Sequence, residues 1–309
     1  MSFKKRIIPA LIASTMLLGA PAAHAVKFSG VFVFGDSLSD SGFYRPGLVA
    51  AGLPTAVVAG IGRFTTNPGP VWSELVAQNY GGNRAPSNAG GGIYAQGGMQ
   101  ASGNAPASRV GPGGTQRPLG TQIGEYLTST GGAANPNALY AVWFGANDIF
   151  TQLELVSVGA ISPAAFQANV LAAATVEVGQ IGRLQAAGAR YILAFNLPDI
   201  GATPAFAGGA TAATVSAIGV GYNTTLFTGL KSANIKVIPV DVATLVADIR
   251  TNAAAFGFTN TTGMACLPAG SSSLTCSPAN TVAGGANSHF FADAVHPTTG
   301  AHAIIADFV

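Results

Sequence analysis

VFVFGDSLSDSG, residues 31–42, passes from four apolar residues through a glycine into a turn carrying two acids and three serines. The apolar half shows no alternation of apolar and polar side chains, so it reads as a strand buried on both faces, the habit of a parallel sheet. Ala138–Phe144 (ALYAVWF), Tyr191–Phe195 and Ile235–Val240 read the same way, and Ile93–Gln96 is a shorter fifth candidate set in glycine. Helical patterns separate them. Pro70 opens one, LGTQIGEYLTST (119–130) is another, and Pro163–Ala187 carries a long apolar stripe ending at Gly188. Two more follow at 211–233 and 242–256, and Pro297 opens a last one. Strands alternating with helices predict an α/β fold with helices covering a parallel sheet. Two stretches fall outside that rhythm, the Gly-rich region at 81–118 and the segment at 257–288. Neither has enough apolar residues for its own core, so both are expected to be loops or insertions of the same domain.

The first 25 residues have a different character. Lys4, Lys5 and Arg6 precede a mostly apolar run, Ile7 to Leu18, and Ala23-His24-Ala25 has the small-x-small form of a signal-peptidase site. Residues 1–25 are therefore expected to be a secretory leader and 26–309 one domain, secreted or periplasmic. No later stretch reaches the roughly 20 apolar residues of a membrane span, so no integral membrane segment is expected after leader removal. Losing three cations takes the formal charge from +2 to about −1, a balance that suggests neither nucleic acid nor an anionic membrane as a partner. The two cysteines, Cys266 and Cys276, are expected to form one local disulfide in an oxidising compartment, worth roughly 2–3 kcal/mol in the chain-entropy model. No phosphate-binding glycine fingerprint and no cluster of metal ligands occurs, so neither cofactor nor metal is expected.

In an open α/β sheet, ligands bind where the strands end at their carboxyl termini. Asp36, Ser37, Ser39 and Asp40 follow the first strand at such an end. Of the four histidines, His24 falls in the leader, and His289, His296 and His302 are all near the C-terminus. A serine hydroxyl needs a base to take its proton and a carboxylate to stabilise the resulting imidazolium. DAVHPTTG (293–300) supplies both within one turn, as Asp293 and His296. A carbonyl under attack also needs oxyanion donors. WFGAND (143–148) offers the Asn147 amide, and AQGGMQ (95–100) an unobstructed N–H at Gly98; alternatively, Asn147-Asp148 caps the next helix and Gly97-Gly98 is a plain turn. Asp36 and Asp40 read as turn- and loop-bonding groups, Asp199 as fixing a loop, His289 as a loop histidine or a pocket wall, and His302 as structural.

In this order, FGDSLSDSG, YAQGG, GAND and DAVHP resemble the blocks of the GDSL or SGNH esterase/lipase family. GRFTTNPGPVWSELVA (62–77) and GARYILAFNLPDIGATP (188–204) are also similar to stretches of bacterial members, so the resemblance covers nearly the whole mature chain. Ile93 stands where family members often have Asn, which implies a different local turn. The resemblance implies a flavodoxin-like three-layer α/β/α sandwich with a five-stranded parallel sheet, the SGNH hydrolase fold. It further implies Ser37 as nucleophile, His296 as base and then acid, and Asp293 as its orienter. The oxyanion hole would be made by the backbone N–H groups of Ser37 and Gly98 with the Asn147 side chain.

The function expected is hydrolysis of small-molecule or lipid carboxylic esters through an acyl-enzyme on Ser37. Two alternatives use the same residues, acyl transfer to an alcohol and deacetylation of a polysaccharide; a third is a non-enzymatic exported binding protein. The nucleophile follows the first mature strand and lacks Gly two positions later, which argues against the Gly-x-Ser-x-Gly elbow of an α/β-hydrolase. Some related exported esterases carry a C-terminal outer-membrane barrel. Only Pro297 to Val309 follow His296 here, so the expectation is an enzyme without one, its oligomeric state open.

Overall fold

The computed structural model describes residues 28–309, and the expected leader at 1–25 lies outside them. Val31–Gly35 (β1), Leu139–Trp143 (β2), Tyr191–Phe195 (β3) and Ile238–Val240 (β4) form a parallel sheet in that spatial order. β2 is buried along its whole length, and β1 except at Phe32, as strands covered on both faces must be. The fourth strand starts three residues later than its apolar run suggests. Ile235 N–H instead closes on Leu230 O at the end of a helix, and Lys236 N–H bonds Gln185 Oε1.

The fifth place, outside β1, is held by a single bridged residue. Ile93 pairs with Val33 in parallel, and Gly92 O, Val33 O and Gly35 O accept from Val33, Tyr94 and Gln96 N–H at 3.0, 2.7 and 3.1 Å. Glycines on either side, Gly90 to Gly92 and Gly97-Gly98, turn the chain away, so the expected strand is cut down to this bridged segment. Counting it, chain order maps onto spatial order as 2-1-3-4-5, the flavodoxin-like arrangement. Ile93 is fully buried against the sheet.

Ten helices are assigned among the described residues: Arg45–Ala50 (α1), Thr55–Val58 (α2), Trp72–Asn79 (α3), Leu119–Ser129 (α4), Ala146–Ser157 (α5), Pro163–Ala186 (α6), Ala212–Ser232 (α7), Val242–Thr251 (α8), Gly285–Ser288 (α9) and Thr299–Phe308 (α10). Their starts follow local chemistry. Ser162, Asp241 and Thr298 cap α6, α8 and α10 by accepting the N–H three residues on, at 3.1, 3.1 and 3.3 Å. Pro70 and Pro297 each stand one residue before the cap. α3 packs with α10 on one face of the sheet, and α4 to α7 pack together on the other. Two aromatic groups mark the two layers. Trp72 of α3 meets Trp143 and Phe195 at 5.7 and 4.6 Å, whereas Tyr126 of α4 meets Phe32 and Tyr140 at 4.6 and 5.6 Å.

The polar stretch at 257–288 is not all loop. Asn260–Met264 (β5) pairs in parallel with His289–Phe291 (β6), and Cys266 and Cys276 are joined as a buried disulfide. The small sheet carries the chain into DAVHP.

Candidate active site

The turn after β1 is pinned before it begins. Gln122 of α4 accepts from Gly35 N–H at 3.0 Å and donates to Gly35 O at 2.9 Å, fixing the strand end on which Ser37 is mounted. Asp36 Oδ1 then accepts Leu38 N–H at 3.0 Å. Asp40 accepts Gly42, Phe43 and Gly97 N–H at 2.8, 2.7 and 2.9 Å, so it ties this turn to the glycine pair after Ile93. Both acids bond turns and loops, as expected.

From the other end of the chain, the 293–297 loop meets this turn. His296 Nε2 lies 2.7 Å from Ser37 Oγ, and His296 Nδ1 lies 2.9 Å from both Asp293 carboxylate oxygens. With Nδ1–H on the carboxylate, Nε2 is the acceptor for the serine hydroxyl. Such a line can pass a proton from hydroxyl to imidazole while the carboxylate stabilises the imidazolium. Asp293 also accepts N–H groups from Ser273, Val295 and His296 at 2.9, 3.0 and 2.9 Å. Burial alone would raise its pKa, but the imidazole and these donors hold it well below the usual carboxylate range. Burial would likewise lower His296, yet Asp293, and Asp36 beyond it, raise it above an ordinary histidine.

Two contacts around the triad have no local signature in the sequence. Phe64 lays its ring against the His296 imidazole, centroids 5.0 Å apart, and Ser273, whose N–H reaches Asp293, sits inside the loop closed by Cys266–Cys276. The paired cysteines were the only sign that this polar segment has a fixed shape.

Asn147 is the second residue of α5 and points its amide to the same end of the sheet. Its Nδ2 donates to Asp36 Oδ2 at 3.2 Å, leaving one amide hydrogen for the pocket it lines together with Ser37 and His296. Gly145 caps the helix at φ +110°, where a Cβ would strike the Tyr222 ring. Asp148 therefore does not cap α5; it accepts Ala101 N–H and the Ser102 N–H and hydroxyl, holding down the loop that follows Gly98. Gly98, at φ +81°, has no room for a Cβ because the Arg109 carbonyl oxygen occupies that space. The N–H groups of Ser37 and Gly98 have no acceptor among the described residues.

An apolar pocket opens from Ser37 between the ends of β2 to β4 and helices α8 and α10. Phe150, Leu197, Val242, Val246, Phe290 and Ile305 line it, with Arg250 also in its wall. His289 is outside, its Nδ1 3.0 Å from Ser288 Oγ, although the two phenylalanines after it form part of the wall. His302 is buried with Nδ1 accepting Trp72 N–H at 3.3 Å, and burial pushes it down to about 3. Asp199 accepts the Ser216 hydroxyl at 2.6 Å and so joins the loop after β3 to α7. No group of three or more His, Cys, Asp or Glu able to hold a metal occurs among the described residues. Nor is any described helix long and apolar enough to cross a membrane.

A parallel sheet that gathers a serine, a histidine and an aspartate in one hydrogen-bonded line at its switch point has the construction of a serine hydrolase. The chain belongs to the GDSL-like Lipase/Acylhydrolase family, whose model matches residues 31–309. Esterase EstA of Pseudomonas aeruginosa is 28% identical over 342 residues, covering 100% of this chain and 50% of that protein. Lipase 1 of Photorhabdus luminescens is 25% identical over 356 residues, covering 93% and 50%. The chain thus spans about half the length of the curated relatives it matches. Among solved structures, a catalytic mutant of Axe2, an acetylxylan esterase from Geobacillus stearothermophilus, aligns with a TM-score of 0.46 at 13% identity, over 92% of this chain and 93% of that one.

Proposed function

We propose that this protein is an exported hydrolase of carboxylic esters that works through an acyl-enzyme on Ser37. His296 Nε2 takes the hydroxyl proton as Ser37 Oγ attacks the ester carbonyl. Asp293 keeps the ring in the right tautomer and stabilises its cation. The oxyanion is received by the N–H groups of Ser37 and Gly98 and by the free hydrogen of the Asn147 amide. His296 then protonates the leaving alcohol, and a water molecule, deprotonated by the same nitrogen, releases the acid. The observation that carries this reading is the unbroken line Ser37–His296–Asp293, opening on an apolar pocket. That lining suits the acyl chain of a lipid or of a smaller ester; an alcohol in place of water would turn the same steps into acyl transfer.

The test is hydrolysis of nitrophenyl esters from acetate to long acyl chains by the wild type and by Ser37→Ala. Turnover by the wild type and a loss of several orders of magnitude in the folded variant are expected, because the residual rate without a nucleophile comes only from binding and the oxyanion donors. Equal rates from the two proteins would remove Ser37 as nucleophile.

A further inference from the structure

The chain from Pro46 to Gly62 holds no charged residue, and Thr55 is its only polar side chain. It folds as the hairpin of α1 and α2. One side is buried: Leu48, Val58 and Ile61 pack with Phe43, Tyr44 and Leu274 in a cluster separate from the main core. The other side faces water, with Val49 and Val57 39% and 51% exposed and Ala50, Ala51, Pro54 and Ala56 exposed beside them. A water-facing hairpin with so little polarity gains nothing from solvent there.

The base of the hairpin has the opposite character. Arg45 and Arg63 stand at its two ends, and with Arg84 they line an open groove that also borders Val49 and Val58. Three of the ten Lys and Arg among the described residues thus meet at one place. The one carboxylate there, Glu74, is paired with Arg63 at 2.5 Å and is buried. Arg45 donates Nε to Ile61 O and has no ion pair among the described residues, and Arg84 reaches only Gln78 Oε1 at 3.1 Å. Arg84 is the exposed cation of the three, and the groove as a whole keeps a net positive charge. An apolar tip beside such a groove is the pattern of a segment that seats in the interface of an anionic bilayer, its aliphatic groups among acyl chains and Arg84 among phosphates.

We propose that the α1–α2 hairpin docks this protein on anionic lipid surfaces. The seat of the hairpin joins that surface to the site. Phe64, packed against its inner cluster, also lies against the His296 ring, and Leu274 of the cluster follows Ser273, which bonds Asp293. These contacts link the buried side of the hairpin to the triad, but the inference concerns binding and holds whether or not Ser37 is a nucleophile.

The experiment is co-sedimentation with vesicles of phosphatidylcholine alone or mixed with phosphatidylglycerol, using Ser37→Ala so that the lipid stays intact. Binding to the anionic vesicles is expected, weak or absent on the neutral ones. Val57→Asp and Arg84→Glu, each added to that background, should weaken it about tenfold or more while the thermal midpoint stays unchanged. No binding to anionic vesicles, equal binding to both kinds, or full binding by the Val57→Asp protein overturns the proposal. So does concentration-dependent self-association without lipid that Val57→Asp abolishes, since the face would then be a contact between copies of the chain.

Discussion

Two loops bring an aspartate to His296, and they treat their carboxyls in opposite ways. Asp293, in the loop after β6, is held below the usual carboxylate range, while Asp36, in the turn after β1, is pushed up to about 7 by burial. The number of N–H donors alone does not decide between them. Asp40 accepts three backbone N–H groups, as many as Asp293, and burial still raises it to about 6. Asp36 has one N–H and the Asn147 amide, and Glu177, buried between α6 and α7 with only the Tyr222 hydroxyl, reaches about 8. All through that series burial outweighs the donors and raises the carboxyl. Asp293 leaves the series because the imidazole lies directly against it. Among the buried aspartates around Ser37, Asp293 is the one whose charge its surroundings favour, while burial works against the charge on Asp36 and Asp40.

Breaking the imidazole contact should have the largest effect. Asp293→Asn preserves shape but offers Nδ1 no carboxylate, and a fall in kcat of about 10⁴ is expected in ester hydrolysis. A loss under tenfold would mean that the charge on Asp293 is not what matters. Next comes the donor on the other side of Ser37. Asn147→Ala should cost about 10²–10³ in kcat with KM little changed, the usual effect of removing one oxyanion donor; a change in KM alone would place the amide on the ground state instead.

Glu177 tests the raised end of the series through stability. A carboxyl whose folded value exceeds its ordinary 4.5 contributes stability that is complete below that value and lost as pH rises through about 8. Unfolding midpoints of the wild type should therefore fall between pH 5 and 9, and Glu177→Gln should flatten the curve by on the order of 2 kcal/mol. The full linkage value, about 1.36 kcal/mol for every pH unit between 4.5 and about 8, is larger, but a buried site relaxes and admits water, so less of it is felt. A variant curve parallel to the wild type would show that Glu177 does not ionise in that window.

How much of this was legible in the sequence depended on the range of the contact. β1 to β3 stood out as apolar runs because their burial on both faces is written in consecutive residues. Ile93 was found as a candidate, but flanking glycines, also visible, cut its strand to one bridge. β5 was missed because Asn-Thr-Thr-Gly-Met has no apolar run, and its pairing with His289–Phe291 is a tertiary fact. α1 and α2 were missed too, being too short and too uniformly apolar to show a period. At the site, Ser37, Asp293 and His296 were readable as residue types in a recognisable order, and the line between them spans 259 positions. Gln122 on Gly35, Phe64 on His296 and Ser273 on Asp293 were not readable, since each is a long-range contact made by a residue that would be ordinary anywhere else.

The smallest predicted effect bears most directly on the contrast between the two aspartates. Asp36 does not touch the reacting atoms; it holds Asn147 Nδ2, and its charge helps raise His296. Asp36→Asn keeps an acceptor oxygen for the amide but loses the charge assistance, so kcat should fall by about tenfold or less while KM holds. The pH profile separates positioning from mere packing. His296 must be neutral to act as base, so the wild-type rate should fall on the acid side above the ordinary histidine value of 6.5. Without the Asp36 charge the ring holds its proton less tightly, and that limb should move to lower pH, by less than about one pH unit because Asp36 is itself partly protonated there. A limb that stays in place while kcat drops would make Asp36 an anchor for Asn147 and nothing more. Movement in the opposite direction would mean that the two carboxyls near His296 are not the opposed pair that their surroundings make them.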